Sequence, residues 1–168
     1  MKAGPRYHVK PRRHRQGRTD YRQRLRLLRS RKPRIVVRKS NKNIIVQFVE
    51  YVPQGDRIHI STVSNELVKK YNWKHSVSTI PAAYLTGLIA GKKAVEKGIT
   101  QGVLDIGRYP PTRGNKLFAT LKGVVDAGIE CPYDEAMVPA EERIFGKHLD
   151  ESIATAVDDI KNKIIGGK

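Results

Sequence analysis

Apolar and polar positions change rhythm along this 168-residue chain, and the changes divide it. The clearest short-period stretch begins at Arg34. Arg34-Ile-Val-Val-Arg38 is β-branched and brief, which predicts a first strand. Ser40-Asn-Lys-Asn43 predicts a turn, and Ile44 to Tyr51 a second strand with Ile44, Val46 and Phe48 on one face. Pro53-Gln-Gly-Asp56 predicts another turn. Arg57 to Val63 then predicts a third strand, with Ile58 and Ile60 inward and His59 and Ser61 outward. Strands joined this tightly form an antiparallel meander.

Beyond the meander the apolar spacing lengthens to that of helices. Residues 80–97 predict a helix capped by Ser78 or Thr79, with Pro81 in its first turn and Gly98 at its end. Tyr84, Leu88, Gly91 and Val95 share one face, and Gly87 and Gly91 suggest close packing of this helix on the sheet. Val103-Leu-Asp-Ile106 predicts a short strand. Residues 115–127 predict a second helix, with Leu117, Leu121 and Val124 together, and Ile129-Glu-Cys131 a last strand. Strands alternating with helices imply parallel pairing. After a polar connection over 132–145, residues 149–164 carry the stripe Leu149, Ile153, Ala156, Ile160 and Ile164. Asp150 and Glu151 at the start of this helix and Lys161 and Lys163 at its end suit its dipole. The fold class expected is α/β: a mixed sheet with packed helices. The terminal helix should bury its stripe on the protein's own sheet.

Upstream of Arg34 the pattern is different again. Residues 19–31 predict a helix with only a narrow apolar stripe, Tyr21, Leu25 and Leu28, ended by Pro33. Arginines cover its other faces. Residues 1–16, with Pro5, Pro11 and a dense charge load, predict a segment disordered alone and extended when bound.

Charge sharpens this division. Residues 1–42 hold 17 of the 33 Lys and Arg side chains but a single acid, Asp20, so the chain's net +17 lies almost entirely there. A folded surface mixes its signs, whereas a basic block stays extended until it meets a polyanion. Membrane is a poor match, because an interfacial helix needs a broader apolar face. Nucleic acid is a good one: phosphates exchange counterions for Lys and Arg. Arginine outnumbers lysine 12 to 5 in residues 1–42, and guanidinium forks grip phosphates and stack on bases. Arginine-rich segments commonly fold on RNA, and Tyr7 and Tyr21 add stacking surfaces. The bland alternative is a solvated tail with no partner.

Other chemistry is sparse. One cysteine, Cys131, excludes an internal disulfide and a zinc cluster built on thiolates, and its apolar setting predicts an inert packed residue. The five histidines (8, 14, 59, 75 and 148) show no ligand spacing. No stretch reaches the ~18 apolar residues of a membrane span, and no apolar leader opens the chain, so a cytosolic location is expected. Gly107-Arg-Tyr-Pro-Pro-Thr-Arg-Gly114 follows a strand and precedes a helix. It reads either as a phosphate clamp built on Arg108, Arg113 and Lys116 or as an ordinary Gly- and Pro-rich turn. A metal-dependent nuclease is the rival function, but it needs clustered acids. Asp105 is the one acid placed within a predicted strand where such a site would need it, and it stands amid arginines.

Several motifs together resemble a known family. They are Tyr-x-Val-Lys-x-Arg-Arg at 7–13, Gly17-Arg-Thr-Asp-Tyr-x-x-Arg24, Arg34-Ile-Val-Val-Arg38 and Asn43-Ile-Ile-Val-Gln47. Ala82-Ala-Tyr-x-Thr-Gly87, Thr112-x-Gly-Asn-Lys-x-Phe118 and Leu121-Lys-Gly-Val-Val-Asp-x-Gly128 continue the match, which covers roughly 6–148. The chain resembles the 5S-rRNA-binding proteins of the large ribosomal subunit, protein eighteen in bacteria and archaea and protein five in eukaryotes, and its size is similar to the archaeal form. The resemblance implies a ribonuclease-H-like topology without that enzyme's active site. It also implies a non-catalytic role, binding 5S rRNA and fastening it to the large-subunit rRNA in the central protuberance beside neighbouring ribosomal proteins. No cofactor, metal, membrane or second copy of the chain is expected.

These readings divide the chain into a basic arm with its short helix (1–33), an α/β core (34–148) and a terminal helix packed on that core (149–168). In the arm, the residues expected to contact RNA are Arg6, Tyr7, Lys10, Arg12, Arg13, Arg15, Arg18, Tyr21, Arg22, Arg24, Arg26 and Arg29. A secondary set on the core comprises Arg38, Asn41 and Lys42 at the first hairpin and Arg108, Arg113 and Lys116 after the fourth strand.

Overall fold

The computed structural model describes Gly4 and residues 7–166. Its centre is a four-stranded mixed sheet in the order β3-β2-β1-β4. The strands are β1 (Arg34–Lys39), β2 (Ile44–Glu50), β3 (Arg57–Val63) and β4 (Val103–Asp105). The first three pair antiparallel through the two predicted turns, and β4 adds parallel to β1, with Arg34 opposite Val103 and Val36 opposite Asp105. Alternation along β1 and β2 sends Ile35, Val37, Ile44, Val46 and Phe48 into the core.

Two helices cover that inner face. Helix α4 (Ile80–Glu96) starts at Thr79, whose hydroxyl accepts from Ala82 N, and ends ahead of Gly98 in a left-handed conformation (φ 74°). Helix α5 (Lys116–Asp126) lies against it with Leu117, Leu121 and Val124 buried. Contrary to the sequence expectation, Gly87 does not pack on the sheet. A Cβ there would collide with the Thr120 carbonyl of α5, and one at Gly123 would collide with that of Tyr84, so these glycines set the α4–α5 approach.

Nor does α4 have a single buried face. It is buried from Ile80 through Gly91, because a further layer covers its other side. That layer includes α3 (Asn65–Tyr71), α6 (Glu141–Phe145) and α7 (Glu151–Gly166). Val157, Ile160 and Ile164 of α7 are buried with Leu85, Leu88 and Ile89 of α4, so the terminal helix packs on a helix rather than on the sheet. Leu149 precedes α7 and is 53% exposed. Lys92 of α4 donates to the carbonyl of Ile164, satisfying one of the carbonyls at the end of α7.

Two other expectations fail for local reasons. Ile58 is 53% exposed: Phe48 pairs with Ile60 but Val49 with Ile58, so a β-bulge leaves His59 extra and turns Ile58 outward. The strand expected at 129–131 is reduced to one parallel bridge, Gln101 with Glu130. Helix α3 has no counterpart in the predicted elements.

Candidate nucleic-acid interface

The basic segment is not uniformly extended. One helical turn, α1 (Arg12–Arg15), is followed by α2 (Tyr21–Leu28). Asp20 starts α2 as its N-cap, its carboxylate accepting from Gln23 N at 3.2 Å and Arg22 N at 2.9 Å. Those two backbone donors hold the Asp20 carboxyl below its ordinary pKa. The face α2 turns to the core differs from the predicted stripe. Tyr21 and Leu25 are 39% and 55% exposed, while Arg24, Leu27 and Leu28 are half-buried.

Arg24 explains the difference, because its partner lies in the core. Its Nη2 donates to Asp56 Oδ1 at 2.7 Å, and Asp56 Oδ2 accepts from Arg34 Nη2 at 2.6 Å. Arg34 Nη1 reaches Asp105 Oδ2 at 2.7 Å, and Asp105 Oδ1 accepts from Arg38 Nη2 at 3.2 Å and from Gly107 N at 2.8 Å. Three guanidiniums and two carboxylates thus run from the arm helix to the fourth strand. Burial raises the Asp56 carboxyl, but the hydrogen bonds and charges of Arg24 and Arg34 outweigh it and hold the pKa below the usual carboxylate range. A second tether joins the same surfaces, since Arg108 donates to the Gly17 carbonyl.

Between arm and sheet lies a groove of about 660 Å³. Arg13, Arg18, Tyr21 and Leu27 line it from the arm, and Tyr51, Arg34, Arg38 and Arg108 from the core. Lys10, Arg12, Arg13, Arg15, Arg18, Arg22, Arg26 and Arg29 are exposed, and so is Tyr7. Arg13 Nε is held by Thr19 Oγ1 at 2.9 Å. Arg6 lies outside the described residues. Arg24 and Arg38, both expected to contact RNA, have internal carboxylate partners.

The two secondary sets prove to be neighbours. Tyr109 Oη donates to the Lys39 carbonyl at 2.5 Å, and Lys39 Nζ stands 5.6 Å from the Tyr109 ring centroid. Arg38 also donates to the Asp105 carbonyl at 2.7 Å. The loop holding Arg108 and Arg113 is thereby joined to the hairpin holding Asn41 and Lys42. Asn41, Lys42, Arg108 and Arg113 are exposed, and Lys116 is half-buried in the first turn of α5.

Sequence reasoning overlooked Arg34, Asp56 and Tyr51 here. Nothing local marks Asp56 as a counter-ion: it sits in a Pro/Gly turn after a strand that holds no Lys or Arg, and its partners Arg24 and Arg34 come from other elements. Asp105, weighed as a metal ligand, instead spends both oxygens on Arg34, Arg38 and Gly107. Among the described residues no group of three or more His, Cys, Asp or Glu is placed to hold a metal ion. Cys131 is buried, and burial raises its thiol pKa. Among the described residues no helix is long and apolar enough to cross a membrane.

Comparison with known proteins converges on one group. A family model described as ribosomal large subunit proteins 60S L5 and 50S L18 matches residues 5–103, which include α1, α2 and strands β1 to β3 and end at the first residue of β4. Large ribosomal subunit protein uL18 of Korarchaeum cryptofilum is 50% identical over 149 residues, covering 89% of this chain and 76% of that protein. The protein of the same description from Aeropyrum pernix is 47% identical over 149 residues, covering 89% of this chain and 70% of its own length.

Proposed function

Because the chain belongs to the family of large-subunit ribosomal proteins 60S L5 and 50S L18, we propose that it acts as a structural, non-catalytic component of the large ribosomal subunit. Its RNA partner in this reading is 5S rRNA, which it fastens to the large-subunit rRNA in the central protuberance. Neighbouring ribosomal proteins share that site. The arm and the groove beside it form the principal contact, and Asn41, Lys42, Arg113 and Lys116 a secondary one.

The observation that carries this reading is the placement of charge. The 17 basic side chains of residues 1–42 meet only one acid of their own segment. Most of those in the arm remain exposed even after the internal ion pairs are formed. Side chains arranged this way reach phosphates without disturbing the core. Helix α7, which holds Glu151, Asp158 and Asp159 against Lys161 and Lys163, packs on α4 and contributes no residue to the groove. The strand order, an antiparallel meander with a parallel strand beside β1, supports reading the core as ribonuclease-H-like.

Sequencing the RNA that co-purifies with the protein at moderate salt tests the proposal. A single dominant 5S rRNA supports it. A heterogeneous mixture without 5S enrichment contradicts it.

A further inference from the structure

We propose that Asp56, an acidic residue, is a positioning residue for RNA binding: it holds the arm helix α2 in place, so that removing its negative charge weakens binding to RNA. The inference rests on the RNA-binding reading above and concerns how that site is kept ready.

Eight residues are too few for a helix to persist alone in water, and those of α2 include no buried side chain. Something outside it must hold it. The contacts that do so are the Arg24–Asp56 pair at 2.7 Å, the Arg108 bond to Gly17, and the half-buried side chain of Leu27 in the groove. Asp56 is the joint among them. Its second oxygen is taken by Arg34, whose side chain is only 4% exposed. Arg34 is fixed in turn by Asp105. The carboxylate of Asp56 therefore couples a surface helix to a rigid anchor in the sheet, which an isolated surface ion pair could not do.

Two effects of neutralising Asp56 have opposite signs. Removing a negative charge beside a polyanion site should by itself strengthen binding. Releasing α2 turns an ordered set of arginines into a mobile polycation that must be ordered again on RNA. If the docked arm falls to about a tenth of the population, apparent affinity falls roughly tenfold. The positioning role predicts that the second effect wins.

The test uses the full chain with Asp56→Asn and Asp56→Glu, and 5S rRNA as the probe. A second readout, backbone amide relaxation of residues 12–28 without RNA, reports arm docking directly. The expected results are about tenfold weaker binding and raised mobility of residues 12–28 in Asp56→Asn, with recovery in Asp56→Glu. Unchanged or tighter binding by Asp56→Asn, or an arm that stays docked, overturns the inference. If Asp56→Asn does not fold, Arg24→Gln breaks the same ion pair from the arm side, and the mobility of residues 12–28 without RNA decides: an arm that stays docked overturns the inference. Failure of the unmodified protein to bind 5S rRNA would refute the RNA reading instead, and the relaxation data would still settle whether Asp56 holds the arm.

Discussion

Asp105 of β4 and Arg34 of β1 meet at 2.7 Å with both side chains almost fully buried, 8% and 4% exposed. A carboxylate that resembled a potential metal ligand is the counter-ion of an arginine sealed beneath the arm. Asp105→Asn should therefore destabilise the protein by about 1–3 kcal/mol, since the buried Arg34 guanidinium keeps Asp56 but loses the charge of its buried partner. Replacing the pair together by Arg34→Met and Asp105→Leu should recover much of the loss. Denaturant unfolding of both variants checks this. Equal losses in the single and double variants would mean that the pair's charge is not the issue.

The helical layers make a packing prediction. Ile160 of α7 is 4% exposed against α4, so Ile160→Ala should cost about 2–5 kcal/mol. Gly123→Ala should also destabilise, by about 1–3 kcal/mol, because its Cβ would press on the Tyr84 carbonyl and part α4 from α5. Thermal unfolding measures both. A neutral Ile160→Ala would show that α7 does not dock on its own chain in solution.

Acid should loosen the arm. The folded-state pKa of Asp56 lies below its unfolded value, so its contribution is complete above about pH 4, the ordinary Asp range, and fades as pH falls through the folded value. Glu66 follows the same sign: burial raises its carboxyl, but Lys93 and Lys70 lower it further. The stability difference between the unmodified protein and Asp56→Asn should be constant from pH 7 to 5 and shrink toward pH 2. A difference independent of pH would remove ionised Asp56 from the account.

What could be read from the sequence divides along physical lines. Strands β1 and β2 and helices α4 and α5 were legible because local periodicity and punctuation, such as Thr79 and Gly98, specify them. Ile58 was misassigned because a bulge depends on cross-strand register, which one strand's alternation cannot report. The all-round burial of α4 was hidden for a similar reason: Leu85 and Ile89 are covered by α7, an element some 70 residues away. In the arm, the charge run pointed to a polyanion, but it carried no sign of which arginines would turn inward. Arg24 looks like its neighbours until Asp56 is placed beside it.

The measurement closest to the central claim compares 5S rRNA binding by the full chain with binding by residues 33–168, across salt. The deleted residues hold 13 Lys and Arg side chains and one acid, while the sheet begins at Arg34. If about 6–10 phosphates are neutralised, affinity of the full chain should fall roughly 10³–10⁵-fold between 50 and 200 mM salt. The account predicts that steep dependence for the full chain, and a folded core that barely binds once the arm is gone. Undiminished, equally salt-sensitive binding by residues 33–168 would contradict it.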